Sequence, residues 1–146
     1  MARYVTTVRT PRSPQEAFEY MADLRNFAAW DPGVTKVVQV DGDGAGSDGV
    51  FDVTVKNPGK DLTLRYRTRE FESPRFARVV ATSTMFTSDD RITIESDGDG
   101  SLVTYDAELR LNGPLRLADP LLKLAFGRIG DRAAAGLRTA LDGTAA

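Results

Sequence analysis

From Val34 to Leu111 the chain reads as strand after strand, and one long amphipathic helix follows. Stretches with strand character run over Thr35 to Val40, Gly49 to Lys56, Leu62 to Glu72, Phe76 to Phe86, Asp90 to Glu95 and Leu102 to Leu111. Short breaks join them: DGDGAGSDG, NPGKD, SPR and SDGDGS. Strands linked this way form an antiparallel meander. Asn112-Gly113-Pro114 ends it. Beyond it Leu122, Phe126, Ile129, Ala133, Leu137 and Ala140 recur at helical spacing as one apolar stripe. Asp119 is the expected cap and Pro120 lies in the first turn. A lone sheet must bury one face, and this stripe is the cover the sequence offers. Gly127, Gly130 and Gly136 thin the helix. Each costs ~1 kcal/mol relative to Ala, so close backbone approach is the expected compensation.

The front of the chain supplies a first strand and two short helices. Tyr4 to Thr10 alternates, with Tyr4, Thr6 and Val8 on one face, and Pro11 ends it. Ser13 then caps a helix, Pro14 takes its first position and Glu16 completes a capping box. Ala17, Phe18, Met21 and Leu24 form its apolar face. Asn26 is placed to restart a second short helix through Trp30, and Pro32-Gly33 stops it. The predicted order is β-α-α-β-β-β-β-β-β-α, an α+β fold in one domain spanning residues 1–146. The final residues, DGTAA, are expected to fray.

Composition narrows the chemistry. Among 146 residues there is no Cys and no His. That excludes disulfides, thiolate and imidazole nucleophiles, His general bases and the usual zinc sites. With a net charge of −2, no basic excess is available to neutralise phosphates, so a nucleic-acid partner is not expected. The DGDGAGSDG loop fails as a phosphate cradle, because no Lys-Ser/Thr follows and a strand comes next. As a calcium loop it has an alanine, Ala45, at a ligand position and strands on both sides. Neither a metal nor a cofactor is implied. With no secretion signal and no apolar run of about 20 residues, a cytoplasmic protein without integral membrane association is expected.

The residues SPQEAFEYMADLRNFAAWDPGV, then DDRITIE with GDGSLVTYDAELRL, then GPLRLADPLLKLAFGRIGDRAAAGL, resemble the START-related helix-grip (SRPBCC) superfamily. Within it the likeness is to bacterial polyketide cyclase/dehydrase-like proteins. It covers nearly the whole chain in the right order. It implies a curved antiparallel sheet wrapped around the long C-terminal helix, with a hydrophobic cavity between them. The first helices would border the cavity mouth and the last helix would form one wall. Members bind lipids, polyketides, sterols, hormones or quinones, and some are cyclases or aromatases. Fold alone does not choose among these.

Alternation assigns the inward face. Phe51, Val53 and Val55 point in on one strand, and Leu62, Leu64, Tyr66 and Thr68 on the next. Val103, Tyr105, Ala107 and Leu109 point in on the last. Ile92, Ile94 and Asp90 point in as well. Phe76 to Phe86 fits either orientation. Arg65, Arg67 and Arg69 then fall on a solvated outer face among acids. The candidate ligand-binding residues are Met21, Phe27, Trp30, Phe51, Val53, Leu64, Tyr66, Ile92, Tyr105, Leu122, Phe126 and Ile129. Most would be core in any reading. Tyr66 and Tyr105 say more, because a buried phenol needs a partner, here Thr68, Asp90 or a ligand oxygen. Asp90 is a weak catalytic candidate. Set at a strand start beside Asp89, it is expected to be solvated at the rim.

Three functions fit these residues. The favoured one is a monomeric or dimeric carrier of a hydrophobic or amphipathic small molecule. The second is a cyclase/dehydrase-type enzyme, weakened by the missing His. The third is a protein-interaction module whose cavity is filled. Several polar groups converging in the interior would favour the enzyme, an almost purely apolar lining would favour the carrier, and no cavity at all would favour the interaction module.

Overall fold

The computed structural model describes every residue except Pro58 and the side chain of Asp119. The NPGKD turn therefore lies partly outside the described residues, and the expected cap is corrected: α3 begins at Asp119 itself, so the N-cap position falls to Ala118, which makes no side-chain cap.

The elements are β1 (Ala2–Thr10), α1 (Pro14–Ala22), a 3₁₀ turn (Leu24–Asn26), α2 (Phe27–Trp30), β2 (Val34–Asp41), β3 (Val50–Val55) and β4 (Leu62–Glu72). β5 (Phe76–Thr82), β6 (Phe86–Asp97), β7 (Gly100–Leu111), a second 3₁₀ segment (Gly113–Ala118), α3 (Asp119–Ala140) and β8 (Thr144–Ala145) follow. Among the described residues the strands form one antiparallel sheet of order β2-β3-β4-β5-β6-β7-β1-β8. With α3 packed on it, this is the expected α+β helix-grip fold.

Local chemistry explains the front helices. Ser13 Oγ accepts from the Glu16 N–H at 3.2 Å, the predicted N-cap, and donates to Glu16 Oε1 at 3.1 Å, so the Glu16 carboxylate meets the Ser13 hydroxyl where a full capping box would engage the Ser13 N–H. Ala17, Phe18, Met21 and Ala22 are the buried face of α1, which lies against β6 and β7. Asn26 does not cap α2 with its side chain. It donates instead to the Tyr20 carbonyl at 3.0 Å, binding the second helix back onto the first.

Two boundary expectations need correction. Phe76 to Phe86 is not one strand. β5 ends at Thr82 and β6 begins at Phe86, with Ser83 Oγ accepting from the Met85 and Phe86 N–H groups in the turn between. The ambiguous face resolves with Ala77, Val79 and Ala81 inward and buried. The C-terminal residues do not fray, because Thr144 and Ala145 pair with Arg9 and Val8 on β1.

α3 is anchored by its second half. Leu137 and Leu141 are fully buried, with Ala133 and Ala134 beside them. At its C-terminal end, Thr10 Oγ1 donates to the Leu141 carbonyl at 2.6 Å and Arg12 to the Ala140 carbonyl at 2.9 Å. These bonds satisfy carbonyls a helix end leaves open. Two glycines permit the contact. A Cβ on Gly136 would stand 1.9 Å from the Trp30 carbonyl oxygen, and one on Gly130 would stand 2.2 Å from the Tyr4 ring. Gly127 is different, with open space around it, so close approach does not account for it. Ile129, expected in the buried stripe, is 49% exposed, while Leu122 and Phe126 are half-buried. Phe126 before Ile129 packs on the core and Gly130, Ala133 and Ala134 after it are buried, so the covered line runs beside Ile129 and the stripe read from the sequence is turned slightly off it.

Candidate functional site

The inward face of the sheet carries a short row of polar groups inside an apolar shell. On β4, β6 and β7, alternation turns Tyr66, Ser88, Asp90 and Tyr105 to the interior, and all four are buried. Tyr105 OH donates to Asp90 Oδ2 at 2.5 Å, and Tyr66 OH and Ser88 Oγ share a hydrogen bond of 2.7 Å. Ile92, Ile94, Val103, Phe51 and Val53 are buried on the same face.

Asp90 is therefore mid-strand and 3% exposed, which corrects the expectation of a solvated rim residue. The strand begins at Phe86, ahead of its β-branched stretch, and those extra residues carry Asp90 inward. Burial drives its pKa up to about 7, with the Asp89 and Asp31 charges adding to the rise and the Tyr105 and Ser88 hydrogen bonds opposing it. The Tyr66 and Tyr105 phenols are raised well above their ordinary range by burial and by the nearby Asp90 charge, so both stay protonated. No lysine or arginine is buried among the described residues.

Asp89 shows what the other face does with the same residue type. Burial pushes its carboxyl up, but Arg78 Nε and Nη2, at 3.0 and 2.8 Å, together with Arg91 outweigh that and hold it low. Neighbouring aspartates on one strand thus carry opposite shifts because they face opposite sides of the sheet.

The aromatic residues of the front segment cover Tyr105. Phe27 and Trp30 stack with ring centroids 4.6 Å apart, and Trp30 meets Tyr105 edge-on at 5.2 Å. Both are buried. Met21 is buried in the same core, and Leu64 and Phe126 pack against it half-buried. The structure thus gathers most of the candidate ligand residues into this core or against it. Two fall outside. Leu122 is half-buried on the first turns of α3, and the Ile129 side chain is largely exposed. A surface depression of about 580 Å³ lies elsewhere, lined by Ala135, Arg138, Thr139, Asp142, Gly143, Thr144 and Ala145, and no candidate residue borders it.

Sequence reasoning missed two members. Ser88 sits two residues before Asp90 on the same face, and extending the alternation to Phe86 finds it. Asp31 reads in sequence only as part of an Asp-Pro-Gly stop. In the structure its Oδ1 accepts from the Gly33 N–H at 2.8 Å, burial raises its pKa, and its charge acts on Asp90, Tyr66 and Tyr105. The Asp-rich loop after β2 is held by Gln39, which donates to the Asp41 and Gly44 carbonyls and accepts from the Gly44 N–H. Arg65 pairs with Asp52 across β3 and β4, as the outer-face reading expects.

Comparison with known proteins decides the family. The sequence profile for "polyketide cyclase / dehydrase and lipid transport" matches residues 1–142. The chain belongs to this family. No curated protein matches the polyketide cyclase family chain closely enough to add to that. Solved structures agree on its fold. A START superfamily protein from Mycobacterium smegmatis is 16% identical with a TM-score of 0.77, over 97% of this chain and 98% of that one. The Zhui aromatase/cyclase from a Streptomyces species is 15% identical with a TM-score of 0.72, over 96% and 93%. A Deinococcus radiodurans protein is 13% identical with a TM-score of 0.65, over 93% and 99%. No described helix of the polyketide cyclase family chain is long and apolar enough to cross a membrane.

Proposed function

We propose that this protein binds a hydrophobic small molecule against the inward face of its sheet and holds the ligand's polar group at Tyr105 and Asp90. The observation that carries this is the buried Tyr105–Asp90 hydrogen bond, set in an apolar shell under two aromatic side chains. An apolar interior with a few convergent polar groups is the usual form of a small-molecule site. Membership in a family of cyclases, dehydrases and lipid-transport proteins supports the same reading. Phe27 and Trp30 occupy the space over the phenol, so the ligand takes their place by displacing them.

A second reading, a cyclase/dehydrase-type enzyme, is favoured by one specific observation. Asp90 titrates near neutrality and touches a phenol, so it can take up or release a proton at working pH. The solved aromatase/cyclase with the same fold supports that reading by analogy.

One titration separates the outcomes. Trp30 is the only tryptophan, so its emission reports the cover over Tyr105. Sterols, quinones, fatty alcohols and aromatic polyketides are added in turn. At least one class is expected to shift the emission, and Tyr105→Phe is expected to weaken that binding by ~0.5–1.5 kcal/mol. If Asp90→Asn lowers turnover of a poly-carbonyl substrate more than it lowers affinity, the enzyme reading holds. Binding by an independent method with no Trp30 response and no effect of Tyr105→Phe would place the site elsewhere.

A further inference from the structure

The chain just before α3 and its first turns carry apolar side chains that nothing covers. Leu117 is 89% exposed, Leu121 74% and Leu124 63%, with Leu115 beside them less so. The β5–β6 loop joins this surface. The Asn112 N–H donates to the Met85 carbonyl at 2.7 Å and its side-chain amide donates to the Ser83 carbonyl at 3.0 Å, which brings exposed Met85 close to Gly113. Leu121, Leu124 and Arg128 follow helical spacing along one side of α3. Scattered exposed leucines need no explanation, but a contiguous set marks an interaction surface.

Charge indicates what covers it. Between Gly113 and Arg132 four basic residues (Arg116, Lys123, Arg128, Arg132) stand against two acids (Asp119, Asp131), in a chain whose net charge is −2. Asp131 already accepts a hydrogen bond from Tyr4. Arg116, Lys123 and Arg128 are exposed and make no ion pair with any described residue. On the outer face of the sheet, by contrast, Arg3, Arg65, Arg78 and Arg91 each have an acidic partner.

We propose that this face docks the protein on an anionic lipid bilayer. Leucines would enter the acyl boundary while the Arg and Lys heads stay at the headgroup level, the division that interfacial helices use. A second copy fits less well. In a two-fold contact the patch meets itself, which would bring its three cations, without an ion pair among the described residues, against the same three. A bilayer also needs no shape complement to an irregular row of side chains. This surface lies outside the interior site, so the proposal stands whether or not that site binds its ligand as proposed.

The test is co-sedimentation of the full chain with phosphatidylcholine vesicles, with and without phosphatidylglycerol, at low and physiological salt. Binding is expected on the phosphatidylglycerol vesicles and should fall with salt. The combined Leu117→Ser, Leu121→Ser and Leu124→Ser variant is expected to lose roughly tenfold or more in partition, with unchanged thermal unfolding because these side chains are exposed. The combined Arg116→Gln, Lys123→Gln and Arg128→Gln variant is expected to lose the preference for phosphatidylglycerol, and it reads the proposal even if the leucine variant fails to fold. Three results would overturn it. One is no vesicle binding by the wild type. Another is binding that neither variant changes. The third is a dimer in sedimentation equilibrium that the leucine variant dissolves, with no vesicle binding, which assigns the face to a second copy.

Discussion

The two faces of the sheet handle charge in opposite ways. Outside, carboxylates are paired with arginines across the strands: Asp106 with Arg3, Asp52 with Arg65, Asp89 with Arg78. Inside, Asp90 has no cation beside it among the described residues and is accommodated by holding its proton to higher pH and by hydrogen bonds to neutral groups. The difference teaches that residue type alone does not set a carboxyl's role on this sheet. Which side of the pleat it occupies does. A proton held to near neutrality is useful for binding and for acid–base chemistry, whereas an ion pair on the outer face mainly fixes register and solubility.

Substitutions sharpen that contrast, taken from the largest effect to the smallest. Asp89→Ala removes a bidentate partner from a partly buried guanidinium and is expected to cost about 1–3 kcal/mol at neutral pH, read by urea unfolding. The two aspartates also predict opposite pH slopes. Asp89 has its pKa lowered on folding, so its contribution is present above the ordinary carboxylate range and is lost as pH falls through the folded value. Asp90 has its pKa raised. The folded state then binds the extra proton, so stability is greatest below the ordinary carboxylate pKa and declines as pH rises to about 7. Asp90→Asn should flatten that decline without destabilising the protein at neutral pH, and a steeper decline in the variant would contradict the interior assignment. Tyr66→Phe removes one neutral hydrogen bond to Ser88 and is expected to cost ~0.5–1.5 kcal/mol. Arg65→Ala breaks an exposed pair and should cost less than about 1 kcal/mol. A larger loss there than at Asp89 would reverse the ranking.

Much of this arrangement is legible in the residues themselves. Alternation on β4 and β7 puts Tyr66 and Tyr105 inward, and the N-cap at Ser13 and the strand-turn rhythm define the fold. The rest is hidden for physical reasons. The depth of Asp90 does not show because Ser88, Asp89 and Asp90 are poor strand formers that read as a break after Phe86, yet pairing with β5 and β7 makes them part of one strand. Asp31 leaves no signal, since nothing local says that a turn residue will sit beside residues far along the chain. Periodicity gives an α3 stripe but not its exact phase against the sheet, and the line that is covered runs through Gly130, Ala133, Ala134, Leu137 and Leu141. Leu137 is fully buried and Ile129 is not, because Gly130 and Gly136 face β1 and α2 and Ile129, one residue from Gly130 on the helix, is turned away from them.

The central claim is that Asp90 lies inside, paired with Tyr105 and with no cation beside it among the described residues. Carboxyl-carbon NMR of aspartate-labelled protein, with Asp90 assigned through Asp90→Asn, measures this directly. The predicted midpoint is about 7, and it should rise further in Tyr105→Phe, which deletes the hydrogen bond favouring the ionised form. A midpoint in the ordinary aspartate range near 3.9, unmoved by Tyr105→Phe, would contradict the account.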